Sequence, residues 1–178
     1  MKLSKSVLLF LILIIFCNAY GQQGQEYHNS AFLYSIVFPI GWKYNVAKEE
    51  YHVVRCEFTE VDSLNNSKNG TISVMVINQD ESRKLEQTAS SYLSIIKLLG
   101  KNIEEIKREE TTLNGEMAYY HEYTFNWKKD GNPDKQIDVK YYLLRNNRLY
   151  TVYYLGSEVI YKKYKETIIN SLRSFKFI

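Results

Sequence analysis

The sequence is poor in residues that carry ready-made chemistry. Of 178 residues, two are Cys, two are Pro and three are His. Cys17 lies in an N-terminal stretch with the marks of a leader, so Cys56 is the one thiol of the remainder and has no partner there for a disulfide. Small exported domains usually need such staples, whereas a domain of this length can rest on its core. His28, His52 and His121 fall in no H-x-x-E-H or H-E-x-x-H spacing, and no C-x-x-C occurs, so a zinc site has no local motif to build on. The eight glycines form neither a phosphate-cradling loop nor a G-x-S-x-G elbow. No apolar run approaches the roughly 20 residues of a membrane-spanning helix. The formal charge is +3, part of it in the leader, so nothing drives the domain generally toward nucleic acid.

What is present begins with that leader. Lys2 and Lys5 precede the unbroken apolar run Val7 to Phe16, and small residues follow at Ala19 and Gly21. This is the layout of a secretory signal peptide over 1–21, with cleavage expected before Gln22 and an alternative before Tyr20. Cys17 at the end of the run opens a second route, a lipoprotein anchored through that thiol. Its neighbour Phe16 is larger than the small residue that normally precedes a lipidated Cys. Residues 22–178 then form a single domain by size, exported to the periplasm or beyond.

Aromatics are abundant at 15%, with 16 Tyr and 8 Phe. Most fall on periodic positions. Phe32 to Phe38 is β-rich and stops at Pro39 and Gly41. His52 to Phe58 and Thr71 to Ile77 alternate as strands. Leu85, Ala89, Tyr92, Ile96 and Leu99 make one helical stripe over 83–99, with Ser82 or Asp80 as N-cap and Gly100 past the end. Ile103 to Thr111 is a polar strand suited to a sheet edge. Asn114-Gly115 is a hairpin turn leading into a long strand, Glu116 to Trp127. Ile137 to Arg145 and Leu149 to Leu155 flank a second such turn at Asn146-Asn147. Their adjacent apolar residues imply a sheet covered on both faces. Ser157 caps a second helix over 158–172, striped by Tyr161, Tyr164, Ile168 and Leu172, and Phe175 and Phe177 close the chain. The order predicts an α+β sandwich: a central antiparallel sheet with two main helices.

Three stretches of this pattern resemble the PsbP-like family. They are Tyr34 to Trp42 (YSIVFPIGW), which is similar to an early strand ending in Pro-x-x-Trp; the helix after the Thr71–Ile77 strand; and the run Arg148 to Tyr154, followed by the Tyr161-Lys162-Lys163-Tyr164 helix and by Ser171 to Phe175. The resemblance covers nearly all of 22–178 and implies a PsbP-like α/β/α sandwich, of the kind found in many small exported bacterial proteins. Its motifs are fold motifs, and members do unrelated jobs, so it implies no activity.

Candidate chemistry is therefore sparse. His52 and Cys56, four apart on a strand, lie about 13 Å from each other and cannot share a metal. Cys56 reads as a buried core thiol. His121 lies among aromatics on one face of the longest strand, with Glu122 on the other. The expectation is a non-enzymatic exported binding or interaction module of the bacterial cell envelope, without cofactor, that holds a protein partner or a small apolar ligand. Its surface would be Tyr119, His121, Tyr123 and Trp127. Strand propensity offers the competing account, in which the same rings are core. The alternative function is a small enzyme or metal-dependent factor using His121 or His52. Membrane contact is expected only through lipidation at Cys17. The basic C-terminal helix reads as a solvated face.

Overall fold

The computed structural model describes residues 24–48, 52–61, 67–80, 82–128 and 134–178. The expected signal peptide, Cys17 and residues 62–66 lie outside them. Among the described residues, ten strands and two helices follow in the order β1 (Gln25–Asn29), β2 (Tyr34–Phe38), β3 (Lys43–Lys48), β4 (His52–Val61), β5 (Ser67–Asn78), α1 (Leu85–Leu99), β6 (Gly100–Leu113), β7 (Glu116–Trp127), β8 (Gln136–Arg145), β9 (Arg148–Ser157), α2 (Glu158–Arg173) and β10 (Lys176–Phe177).

Seven strands form one antiparallel sheet in the order β3-β4-β5-β9-β8-β7-β6, and β1-β2-β10 form a small second sheet. The two sharp hairpins arise where the sequence asks for them. Asn114 and Gly115 have φ of 50° and 85°, and Asn146 and Asn147 have 53° and 55°, the left-handed pairs that a two-residue turn between twisted strands needs.

Alternation on the central strand β8 separates two cores. Ile137, Val139, Tyr141 and Leu143 point toward α2 and the small sheet, and pack with Tyr34, Phe38, Ile160, Ile168, Leu172 and Phe175. Asp138, Lys140 and Tyr142 point to the other face, which α1 covers with Ala89, Leu93 and Ile96. The architecture is thus the expected α/β/α sandwich, and both faces of β8 and β9 are buried because each carries a layer.

Three local expectations change. The helix α1 begins at Leu85, with Lys84 at the cap position and no side-chain cap; Asp80 instead accepts from the Ser82 backbone N–H, in the turn before it. Leu93 takes the buried place in the stripe that Leu99 was expected to fill, and Leu99 stays exposed. Gly100 is extended (φ −107°) and not left-handed. A Cβ there would meet the Ile96 carbonyl and the Phe125 ring at 3.0 Å, so close approach is what demands the glycine. Strand β1 has no strong pattern of its own and forms by pairing with β2.

Candidate functional site

The face of the sheet beneath α1 carries an ionic centre that its sequence pattern half conceals. Asp138 and Lys140 are two positions apart on β8 and therefore share a face. Lys140 Nζ pairs with the Asp138 carboxylate, and both groups are withdrawn from solvent. Tyr123 Oη, from the neighbouring β7, donates to the same carboxylate at 2.6 Å. The lysine ammonium also lies over the rings of Tyr92 on α1 (3.8 Å) and Tyr153 on β9 (4.9 Å). Burial pulls the Lys140 amine below its usual range while Asp138 works the other way. Burial, then the Asp138 charge, drives the Tyr123 hydroxyl upward.

Strand register extends this centre into a polar rank. Arg108, His121, Lys140, Tyr153, Ser73, Arg55 and Asn45 are successive partners across all seven strands, from β6 to β3. His121 is fully buried in this rank, with Nε2 3.3 Å from the Glu105 carboxylate and its ring beside Tyr123. Burial lowers its pKa, and the Glu105 hydrogen bond opposes that shift.

This placement corrects the expected ligand surface. Tyr119, His121 and Tyr123 do lie together, but α1 covers them, so they form interior packing and not an open groove. Trp127, the fourth residue, remains half-buried at the margin, edge-on to Phe125 at 4.7 Å. His52 sits elsewhere. Its Nε2 meets Tyr34 Oη at 2.7 Å and Asn29 Nδ2 at 2.9 Å, and its ring stacks on Phe32, so it fastens the small sheet to the large one. Cys56 is buried and its thiol is pushed up to about 12 by burial. Among the described residues no three His, Cys, Asp or Glu side chains gather as a metal site.

The open feature is an apolar corner around Trp127. On α1, Leu98 is 75% exposed, and Ile95 and Leu99 are each 50% exposed. Half-buried Ile103 and Trp127 join this corner to the core beneath it. Its shape has local causes. Two irregularities interrupt the β6 to β7 register, at Lys101/Glu104 and Glu105/Lys107, and the first leaves Ile103 outside regular pairing. Lys128 ties the helix end down: its backbone N–H donates to Leu99 O, and Nζ donates to the carbonyls of Lys97 and Leu98. Reading α1 as one stripe missed this corner. The signal was there as a second set, Ile95 and Leu98, off the buried stripe.

No protein-family model matches the sequence, and no curated protein matches it. Solved structures do match by shape. The solution structure of cyanobacterial PsbP from Synechocystis superposes with a TM-score of 0.58 and 18% identity, covering 89% of this chain and 95% of that one. The Ran-binding protein Mog1p of Saccharomyces cerevisiae gives 0.57 at 10% identity, covering 88% and 96%. A Pseudomonas aeruginosa protein of unknown function gives 0.53 at 9% identity, covering 84% and 94%.

Proposed function

From the premise that this chain has the PsbP-like fold, we propose that it is an exported, non-enzymatic interaction module of the bacterial cell envelope, and that it docks a protein partner on the corner formed by α1 and β6. The exposed side chains Ile95, Leu98 and Leu99, neighbours on one face of α1, carry this reading. Contiguous apolar surface on a monomer is costly to keep in water, and marks a face that is covered in use. These side chains stand on a helix face, which suits another protein's surface. One fold neighbour, Mog1p, is itself described as a Ran-binding protein, so the scaffold is compatible with protein binding. Export rests on Lys2, Lys5, the Val7–Phe16 run and the small residues at Ala19 and Gly21.

The test is site-specific photo-crosslinking in intact cells. A crosslinking side chain placed at Leu98 is expected to trap one discrete protein, and the same group at the exposed Ser91 is not. With the crosslinker kept at position 98, Ile95→Glu/Leu99→Glu should abolish the adduct while leaving the melting temperature within a few degrees. Equal crosslinking at both positions, or an adduct that survives the double variant, would refute the docking face. N-terminal sequencing of the mature protein tests export: an intact Met1 refutes it.

A further inference from the structure

The seven-stranded sheet ends in two different edges. The β6 edge is long, densely charged and interrupted by its two register shifts, which are the usual devices for preventing strand addition. The β3 edge has none of these interruptions. Its register with β4 is continuous from Lys43↔Glu57 to Lys48↔His52. Among the described residues, β3 makes no backbone hydrogen bond beyond those to β4. Tyr44 and Val46 lie on one face of it, each 44% exposed. Tyr44 continues an aromatic ledge, stacked on Phe38 at 5.7 Å and edge-on to Tyr27 at 5.8 Å.

We propose that two copies of this chain pair antiparallel through β3, about a two-fold axis at Asn45, to make one continuous sheet across the dimer. Opposite residues in such a pair must share a face, so the axis has to pass through a residue position and not between two. At Asn45 it sets Tyr44 opposite Val46 of the partner subunit, and Val46 opposite Tyr44 of the partner subunit. The two exposed apolar side chains thus cover each other, an aromatic against a β-branched residue, which is a favoured cross-strand pair. Lys43 falls opposite the Ala47 position, so no like charges meet. Moving the axis to Val46 would instead set Tyr44 opposite the Lys48 position and lose the match. Self-complementarity of this kind is what an isologous interface requires. The irregular β6 edge stops further addition, so the assembly closes at two. β6 and β3 are opposite margins of the sheet, so the dimer carries its two apolar corners at its far ends.

Sedimentation velocity over a concentration series, together with cysteine crosslinking in a Cys17→Ser background, tests this. The wild-type protein should shift from monomer to dimer between about 1 and 200 μM. Tyr44→Lys/Val46→Lys should stay monomeric with an unchanged circular dichroism spectrum, and Ile95→Glu/Leu98→Glu should dimerise like wild type. Oxidation should link most of an Asn45→Cys sample into a covalent dimer and link Lys43→Cys at least tenfold less, because only the axis residue faces its own copy. Buried Cys56 stays out of this reaction. A wild-type protein that remains monomeric throughout, equal crosslinking at both positions, a dimer that survives Tyr44→Lys/Val46→Lys, or β3 pairing only with an extended segment of another protein would each overturn the proposal. The Leu98 crosslinking result is separate, so either idea can fail alone.

Discussion

The ammonium of Lys140 lies 3.8 Å from the centre of the Tyr92 ring, joining an inner strand of the sheet to the helix that covers it. Asp138 supplies the countercharge from the same strand, and Tyr123 supplies the second hydrogen bond to that carboxylate. Buried charge survives here because it is paired and hydrogen-bonded, and because aromatic faces replace part of the lost water around the ammonium.

Breaking this centre from one side should be severe. Lys140→Met leaves Asp138 buried without its cation, at an expected cost of about 3–5 kcal/mol. The double variant Lys140→Met/Asp138→Leu should cost much less than the two single changes added together, since no charge is left stranded. Urea unfolding of the four proteins closes the cycle. A double variant as unstable as the sum would show that the pair is not coupled.

Stability should fall on mild acidification. Burial lowers both His121 and His52 below their ordinary value of 6.5. Well above pH 6.5 both rings are neutral in the folded and unfolded chain, and their contribution is constant. Below it the unfolded chain takes up protons that the native state resists, so stability drops as pH falls toward the native values. The urea midpoint should therefore decline between about pH 6.5 and 5, and His52→Gln/His121→Gln should flatten the decline. An undiminished slope in that variant would assign the effect to other groups.

Asn114 has two jobs that two variants separate. Its left-handed φ of 50° makes the hairpin, and its amide donates to the Arg173 carbonyl at 2.8 Å and to the Phe175 carbonyl, binding the β6–β7 turn to the end of α2. Asn114→Gly keeps the turn and loses the amide, for about 1 kcal/mol. Asn114→Ala loses both and should cost about 1 kcal/mol more, from the left-handed backbone. Thermal unfolding of both reads the difference; equal losses would mean the turn itself contributes nothing.

Cys56 should be inert in the native protein. It is fully buried, and its thiol is pushed up to about 12. At pH 8 a thiol reagent should react at that position only as fast as the protein unfolds, and fully in urea. Prompt labelling of folded protein would place the thiol nearer the surface.

Much of the architecture was legible in single stretches of sequence. Strand β7 runs from Glu116 to Trp127 as its alternation predicts, and Ser157 caps α2 by accepting from the Val159 N–H. These features are local: a period, a turn dipeptide, a hydroxyl at the right offset. Strand β1 was not legible, because it depends on a partner strand and has little pattern of its own. The surface expected at Tyr119, His121, Tyr123 and Trp127 was right about the shared face and wrong about its exposure. Alternation says which residues point the same way, but only the position of α1 decides whether water reaches them.

The sequence by itself determined most of the elements and their order: the hairpins at Asn114-Gly115 and Asn146-Asn147, the two amphipathic helices, and a sheet buried on both faces. Those follow from backbone stereochemistry and from apolar periods a few residues long. Tertiary structure alone decided that Arg108, His121, Lys140, Tyr153, Ser73, Arg55 and Asn45 line up in one rank, because strand register joins positions far apart in the chain. It also decided that Ile95, Leu98 and Ile106 stay open to solvent, because exposure depends on what packs over a side chain and not on the side chain itself.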